Sequence, residues 1–104
     1  MASLDQAIIE IEPVEGCIAS AMRVLGRKWS ALILRDLHSG PKHFCELEHS
    51  IEKITPRVLS QRLNDLETQN IIKLEDGSYR LTSKGIDLMP TLKQMASWGS
   101  KYPS

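Results

Sequence analysis

Apolar residues recur at helical spacing along the first half of the chain. In the stretch Cys17–Leu25, and again from about Lys28 to Ser39, they fall three or four positions apart, as on one side of a helix. Gly26 and Gly40-Pro41 are typical stop signals after these two stretches. A shorter third helix is predicted by the spacing of Phe44, Leu47 and Ile51.

A fourth predicted helix has the clearest boundaries. Thr55 is a good N-cap, and Pro56 suits the first helical position because its missing N–H would have no partner there. An apolar stripe with spacings of four and three follows, formed by Leu59, Leu63 and Leu66. Asn70 suits the left-handed conformation that ends many helices. We therefore expect a helix from Thr55 to Asn70 with its leucines facing inward.

The spacing of apolar residues changes to two between Ile71 and Leu81. Apolar and polar side chains alternate on both sides of Asp76-Gly77, a dipeptide typical of a two-residue hairpin turn. This turn sets the pairing of the two strands: Glu75 with Ser78, Leu74 with Tyr79, and Ile72 with Leu81. The pattern predicts a β-hairpin with one apolar face and one polar face.

The last predicted helix follows the hairpin and is capped by Thr82 or Ser83. Pro90 lies inside it and should bend or split it. Its apolar positions cover more than one face: Ile86, Leu88, Met89, Leu92, Met95 and Trp98. Either this set exceeds the needs of one small core and forms an interface, or all of its members lie in the core.

This order of elements predicts a mainly α protein with a small β-hairpin. Residues 1–15 show no clean period and are interpreted as an N-terminal arm, with a short strand or a partly ordered tail as alternatives, so no fixed structure is assigned to them. Residues 16–104 form a single domain, since 104 residues with 41% hydrophobic content support one modest core. Helices followed by a tight hairpin and a final helix match a winged helix-turn-helix, in which one helix enters the major groove of DNA.

Charge is distributed unevenly along the chain, although the formal net charge is zero. Residues 1–15 hold four acidic residues and no basic one, so residues 16–104, with 13 basic and nine acidic residues, carry a net charge of +4. No stretch is long and apolar enough to cross a bilayer, and no secretion signal is visible. We expect a cytoplasmic protein whose two cysteines are free thiols.

The polar face of the fourth helix has the chemistry to read DNA bases. Arg57, Ser60, Gln61 and Asn64 follow one another at spacings of three, one and three, opposite the leucine stripe. Arginine can contact O6 and N7 of guanine together, and glutamine or asparagine can contact N6 and N7 of adenine. Arg57 is the leading candidate for base readout.

Other residues suit contacts to the DNA backbone. Thr55 and Pro56 open the fourth helix, whose N-terminal N–H groups can bind a phosphate. Basic side chains on the flanks would position the domain without specifying sequence: Arg62 on the fourth helix, and Lys42, His43 and Lys53 in the preceding segments.

The sequence from about Cys17 to Gly99 resembles the HxlR-type winged-helix transcriptional regulators, which lie near the MarR group. The resemblance rests on Cys17 and on the runs Val24-Leu25-Gly26-Arg27-Lys28-Trp29, Leu32-Ile33-Leu34-Arg35-Asp36-Leu37, Gly40-Pro41-Lys42-His43-Phe44-Cys45-Glu46-Leu47, Ile54-Thr55-Pro56-Arg57-Val58-Leu59-Ser60-Gln61-Arg62-Leu63 and Leu81-Thr82-Ser83-Lys84-Gly85. It implies a homodimer built from the first and last helices, which binds a two-fold operator and regulates nearby genes.

The predicted wing departs from the pattern of that family. Family wings are usually longer and basic near the tip, whereas here the strands meet at Glu75-Asp76-Gly77. Phosphates repel such an acidic tip, so Lys73 and Arg80 are the residues of the wing that we expect to contact DNA.

The two cysteines are interpreted differently. Cys17 stands where some family members carry a thiol that senses oxidants or electrophiles, and the partial positive charge at a helix start favours a thiolate. Glu15 opposes this effect, so a plain, partly buried cysteine is the alternative. Cys45, beside Phe44 and Leu47, is predicted to fill the core. With His43 and His49 it makes an incomplete ligand set, so we predict no metal.

Two other functional classes are alternatives to DNA binding. An enzyme is not expected, because the chain has no phosphate-binding glycine loop, nucleophile elbow or HExxH motif, and no cofactor is predicted. A winged-helix module that binds only protein is the stronger alternative, favoured by the zero net charge and the acidic wing tip. The sequence identifies no small-molecule effector.

Overall fold

The computed structural model describes residues 15–103. In this part of the chain it contains five helices and a two-stranded antiparallel sheet. In chain order the elements are α1 (Glu15–Leu25), α2 (Lys28–His38), α3 (Phe44–Ser50), α4 (Pro56–Thr68), β1 (Ile72–Glu75), β2 (Ser78–Leu81) and α5 (Ser83–Lys101). The predicted mainly α fold with one small hairpin is confirmed. Of the predicted arm, residues 1–14 lie outside the described residues, and Glu15 is the first residue of α1.

The core is formed where α2 packs against α4, α3 and α5. Its largest fully buried side chains are aliphatic and come from four of the elements and one connecting residue: Ile33, Leu34, Leu47, Ile51, Leu59, Leu63, Leu66 and Ile72. Burying each of them stabilises the fold by about 1.5–3 kcal/mol relative to exposure. Leu34, which the sequence pattern did not single out, is completely buried beside Ile33.

Local signals set both ends of α4 as predicted. The Thr55 hydroxyl oxygen accepts the N–H of Val58 at 3.2 Å, and Pro56 occupies the first turn. At the other end Asn70 has a φ of 61°, and the N–H of Ile71 donates to the carbonyl of Leu66 at 2.9 Å. This is the Schellman arrangement, in which a left-handed residue lets the chain turn back over the last helical carbonyls.

The hairpin has the predicted register, with Leu74 opposite Tyr79 and Lys73 opposite Arg80. Asp76 and Gly77 have φ values of 53° and 80°, as a turn with two left-handed residues requires. The N–H of Lys42 donates to the carbonyl of Tyr79 at 3.0 Å, and Tyr79 returns the bond at 2.7 Å. Lys42, an extended residue before α3, therefore forms an isolated β-bridge to β2. This bridge attaches the hairpin to the helices.

Hydrogen bonds connect the end of α4 to the start of α5. The Thr82 hydroxyl oxygen caps α5 by accepting the N–H of Gly85 at 3.1 Å, and the same hydroxyl donates to the carbonyl of Asn70 at 2.6 Å. Lys84 Nζ donates to the carbonyl of Gln69 at 2.8 Å. The terminal carbonyls that follow α4 are thus satisfied by the first residues of α5. We call these residues, Gln69–Asn70 and Thr82–Gly85, the α4–α5 junction.

α5 is one continuous helix that contains Pro90, so of the two predicted effects of Pro90 the split does not occur, and a bend stays a prediction. Of its six apolar positions, Met89 is buried and two are half-buried against the core, Leu88 and Leu92. The other three stay exposed: Ile86, Met95 and Trp98. The set therefore exceeds what the core of the described residues uses. No helix within 15–103 combines the length and hydropathy that crossing a membrane would need.

The prediction that Cys45 fills the core is wrong. Its side chain is exposed, as is that of Cys17. The helix α3 has only seven residues, and in it only Leu47 is buried, with Phe44 half-buried. Cys45 lies one residue beyond Phe44, a rotation of about 100° that carries it away from the core.

Candidate nucleic-acid interface

A short turn sets α4 relative to α3. Ile51 and Ile54 are buried and anchor the two ends of this turn, while Lys53 between them has a φ of 69°. A left-handed residue lets the chain reverse within a few residues, and both isoleucines hold the turn on the core. α3 and α4 are thereby arranged as the two helices of a helix-turn-helix.

The polar face of α4 lies in solvent, as its spacing predicts. Arg57, Ser60, Gln61 and Asn64 are all exposed, whereas the leucine stripe on the opposite side is at most 1% exposed. Among the described residues, none of these four side chains makes a hydrogen bond or an ion pair. The structure thus brings these four predicted residues together on one exposed surface, which we call the reading face.

The N-terminus of α4 offers less to a phosphate than the sequence indicates. The N–H of Val58 is taken by Thr55 Oγ1, the N–H of Leu59 donates to the Thr55 carbonyl at 2.9 Å, and Pro56 has no N–H. The backbone N–H of Arg57 is the one left for a ligand in this first turn. The Thr55 hydroxyl and the Pro56 ring lie at the entrance, both exposed.

The guanidinium of Arg62 forms an ion pair within the protein. Its Nη1 donates to Asp65 Oδ2 at 2.8 Å, and only 16% of its side chain is exposed. Arg27 Nη1 lies 4.0 Å from the same carboxylate oxygen. Arg62 is therefore not part of the reading face. The spacing of three between Arg62 and Asp65 was the signal in the sequence that could have indicated this pair.

In the wing, which consists of β1 and β2, both basic side chains pair with the carboxylate of Glu75. Lys73 Nζ lies 3.2 Å from Glu75 Oε2, and Arg80 Nη1 lies 3.5 Å from Glu75 Oε1. All three side chains are 42–51% exposed, so solvent screens these pairs and they add little to stability. Their effect is on charge: with Asp76 at the tip, the four charges of the wing cancel. The sequence indicated an acidic tip but not that Glu75 binds both cations.

The segment before α3 fixes the position of the wing. Lys42 is half-buried, with its backbone paired to Tyr79. The next residue, His43, has its ring Nδ1 within 3.0 Å of the Gly77 carbonyl, so an Nδ1–H would donate to the wing tip. Its own backbone N–H donates to Glu46 Oε1 at 2.9 Å. Burial, followed by the charge of Glu67, raises the pKa of Tyr79 above 10.0, which keeps this phenol neutral.

The cysteines and histidines do not form a metal site among residues 15–103. No group of three His, Cys, Asp or Glu side chains in this part of the chain is arranged to hold a metal ion. Cys17 lies in the first turn of α1, and Cys45 lies on α3. Both thiols are free and exposed, so both are open to reagents in solvent.

The helix-turn-helix geometry agrees with the family and the relatives that the chain matches. Residues 24–104 match the family model described as HxlR-like helix-turn-helix. The chain belongs to this HxlR-like family. This HxlR-like protein is 32% identical over 90 residues to the HTH-type transcriptional regulator YodB of Bacillus subtilis, covering 80% of each chain. The resemblance inferred from the sequence is thereby confirmed.

Solved structures of regulators have the same fold as this HxlR-like protein. Quinone-bound YodB from B. subtilis matches with a TM-score of 0.78 at 33% identity, covering 84% of this chain and 99% of that one. The redox regulator HypR in its reduced form matches at 0.75 and 30% identity, covering 81% and 90%. A MarR-family transcriptional regulator from Enterococcus faecalis matches at 0.76 and 27% identity, covering 85% and 86%.

The HxlR-like protein is thus a DNA-binding, winged helix-turn-helix transcriptional regulator. Its family consists of regulators and not of enzymes. The reading face lies on the second helix of the helix-turn-helix, where such proteins enter the major groove.

We expect Glu75→Gln to strengthen DNA binding. Without the carboxylate, Lys73 and Arg80 are free to neutralise phosphates, and each new phosphate contact steepens the log–log dependence of affinity on salt by about 0.9. Fluorescence anisotropy with labelled duplex DNA at several salt concentrations measures both affinity and slope. Asp76→Asn is the matched control: it removes one negative charge at the wing tip, at a φ of 53° that Asn tolerates, but releases no cation. Equal slopes for the two variants would contradict the role assigned to Glu75.

Proposed function

We propose that this regulator binds a two-fold DNA operator as a homodimer, with α4 of each subunit in the major groove. The observation that supports this most directly is the reading face. Four polar side chains are exposed on one side of α4 and make no bonds among the described residues. Uncommitted hydrogen-bonding groups on the second helix of a helix-turn-helix suit the edges of bases.

The four side chains of the reading face contact different groups of the DNA because their chemistry differs. Arg57, in the first turn, takes O6 and N7 of a guanine through two parallel hydrogen bonds. Gln61 and Asn64, one and two turns further along, contact adenine edges, and Ser60 contacts a base or the adjacent phosphate. Arg57 also supplies the free N–H of the first turn, so it combines base readout with a phosphate contact.

The remaining basic residues position the domain on the DNA backbone. Lys42 approaches from the segment before α3, and Lys73 and Arg80 approach from the wing when Glu75 is displaced from them. Thr55 and Pro56 form the entrance of the phosphate-binding turn. For Arg62 we propose a positioning role: its guanidinium holds Asp65 on the flank of α4, so its contribution to DNA binding is indirect.

Arg57→Ala is expected to weaken operator binding by about 1–3 kcal/mol and to relax the preference at one base pair. The matched variant is Arg57→Lys, which keeps the charge but loses the planar two-bond geometry. It should keep most of the salt dependence and lose the base preference. Selection of bound sequences from a random duplex pool, followed by anisotropy on the selected site, measures both quantities. Unchanged sequence preference in both variants would refute base readout by Arg57.

Exposed apolar side chains support a dimer formed by the first and last helices. Ile18 and Met22 lie one turn apart on α1, and each is about half exposed. At the C-terminal end of α5, Trp98 and the C-cap residue Tyr102 are 65% and 63% exposed, with ring centroids 5.2 Å apart. Large aromatic groups in solvent are costly in a monomer and are typical of interface centres.

Trp98→Asp is therefore expected to convert the dimer into a monomer and to weaken binding to a two-fold operator while sparing a single half-site. Analytical ultracentrifugation gives the mass in solution. Leu74→Asp is the matched control, because Leu74 is a half-exposed apolar residue on the wing, away from both helices. A dimer that survives Trp98→Asp would exclude this face as the interface.

We further propose that Cys17 makes the regulator responsive to electrophiles or oxidants. The thiol is exposed in the first turn of α1, next to Ile18 of the proposed interface. α1 also faces the second half of α4 across a cavity of about 670 Å³ lined by Met22 and Asn64. Relatives described as quinone-bound YodB and as reduced and oxidised HypR carry this kind of response. A modification at Cys17 would disturb α1 and, through it, both the dimer and the reading face.

Benzoquinone is expected to weaken DNA binding of the native chain through addition of the Cys17 sulfur to the quinone ring. Cys17→Ser should be insensitive, whereas Cys45→Ser should lose binding as the native chain does. Because both thiols are exposed, Cys45→Ser controls for simple accessibility. Mass spectrometry of digested protein locates the adduct. Loss of binding in all three proteins, or in Cys17→Ser alone, would exclude the sensor role.

A further inference from the structure

Two neighbouring residues before α3 bond to the wing. The first is Lys42, whose β-bridge to Tyr79 has hydrogen bonds of 3.0 Å and 2.7 Å. The second is His43, whose ring Nδ1 lies 3.0 Å from the carbonyl oxygen of Gly77 in the wing tip. The bridge uses backbone groups, which every residue except proline can supply. The contact of His43 depends on its side chain, so it is specific to this residue.

The backbone of His43 is held by the first turn of α3. Its N–H donates to Glu46 Oε1 at 2.9 Å, and its carbonyl accepts the N–H groups of Glu46 and Leu47, both at 3.1 Å. The ring therefore extends from a backbone that α3 fixes, and its Nδ1 contact joins the wing tip to the start of that helix. α3 is the first helix of the helix-turn-helix, which in such motifs crosses the DNA backbone.

Two oxygens lie near Nδ1 of His43, and they require different forms of the ring. The carbonyl of Gly77 can only accept, so the contact of 3.0 Å requires a hydrogen on Nδ1. The hydroxyl of Ser78 is 3.5 Å away, at the limit of hydrogen-bond length, and would donate to an Nδ1 without hydrogen. Because the shorter contact is the stronger one, the geometry favours the ring form with Nδ1–H.

We propose that His43 is a positioning residue for the wing, which holds the wing tip against α3 by donating Nδ1–H to the Gly77 carbonyl. Without this bond the hairpin keeps its register, since the Asp76-Gly77 turn sets it, but the angle between the wing and the reading face is no longer fixed. The consequence for DNA rests on the proposed function, because it requires Lys73 and Arg80 to reach phosphates. The attachment of the wing to α3 does not require it.

NMR of the ring nitrogens in the full chain, with isotope-labelled histidine, tests the ring form. The protein has three histidines, and the other two, His38 and His49, are exposed and make no hydrogen bond within residues 15–103. At a pH where all three rings are neutral, His43 is expected to carry its hydrogen on Nδ1. His38 and His49 should show a mixture of the two ring forms, because no partner selects one of them.

Residual dipolar couplings of the backbone amides test the orientation of the wing relative to α4. His43→Phe keeps a ring but removes the donor, and it is expected to reduce the couplings of β1 and β2 while those of α4 stay unchanged. His43→Asn should restore the native couplings, because the amide nitrogen of asparagine lies as far along the side chain as Nδ1 does. The matched control is His49→Phe, which replaces an exposed ring on α3 and should leave all couplings native.

The consequence for DNA is measured in the Glu75→Gln background, where Lys73 and Arg80 are expected to be free to contact phosphates. Adding His43→Phe should abolish the steeper salt dependence that Glu75→Gln produces, and adding His43→Asn should keep it. Fluorescence anisotropy with one labelled duplex gives the slope for each protein. If Glu75→Gln alone leaves the slope unchanged, the wing contacts of the proposed function are refuted, and the dipolar couplings decide the role of His43 without DNA.

Three results would overturn the proposal. One is a hydrogen on Nε2 and none on Nδ1 in the neutral ring of His43. Another is a set of wing couplings in His43→Phe that equals the native set or that His49→Phe reproduces. The last is a salt slope that stays as steep in Glu75→Gln with His43→Phe as in Glu75→Gln alone.

Discussion

The position of the reading face depends on the burial of one stripe of leucines. Leu59, Leu63 and Leu66 of α4 are at most 1% exposed and share a core with Ile33 and Leu34 of α2. Exposing any one of these leucines costs about 1.5–3 kcal/mol, so a rotation of α4 that lifted all three from the core would cost a large part of a small domain's stability. The polar residues on the opposite side are held outward by this apolar contact, without bonds of their own.

Much of this arrangement could be predicted because its signals are local. Thr55 and Pro56 set one end of α4 and Asn70 the other, each through the conformation of a few neighbouring residues. The hairpin register likewise follows from Asp76-Gly77 alone. The polar face of α4 was predictable for the same reason, since a helical period and one buried side determine which residues are exposed.

What the sequence did not show depends on contacts between elements or on the exact rotation of a short helix. The bridge between Lys42 and Tyr79 joins residues far apart in the chain, and no local pattern marks it. The exposure of Cys45 depends on how the seven residues of α3 are turned toward the core. The register places Lys73, Glu75 and Arg80 on one face of the hairpin, but side-chain conformations, which no sequence pattern marks, bring both cations to Glu75.

The α4–α5 junction has a consequence for the spacing of DNA sites. Because Thr82 and Lys84 bond to the carbonyls that follow α4, the angle between α4 and α5 is set by hydrogen bonds at their meeting point. In the proposed dimer α5 lies at the two-fold axis and α4 lies on the DNA. The angle at the junction then sets the distance between the two α4 helices of the dimer. That distance determines the number of base pairs between the two half-sites.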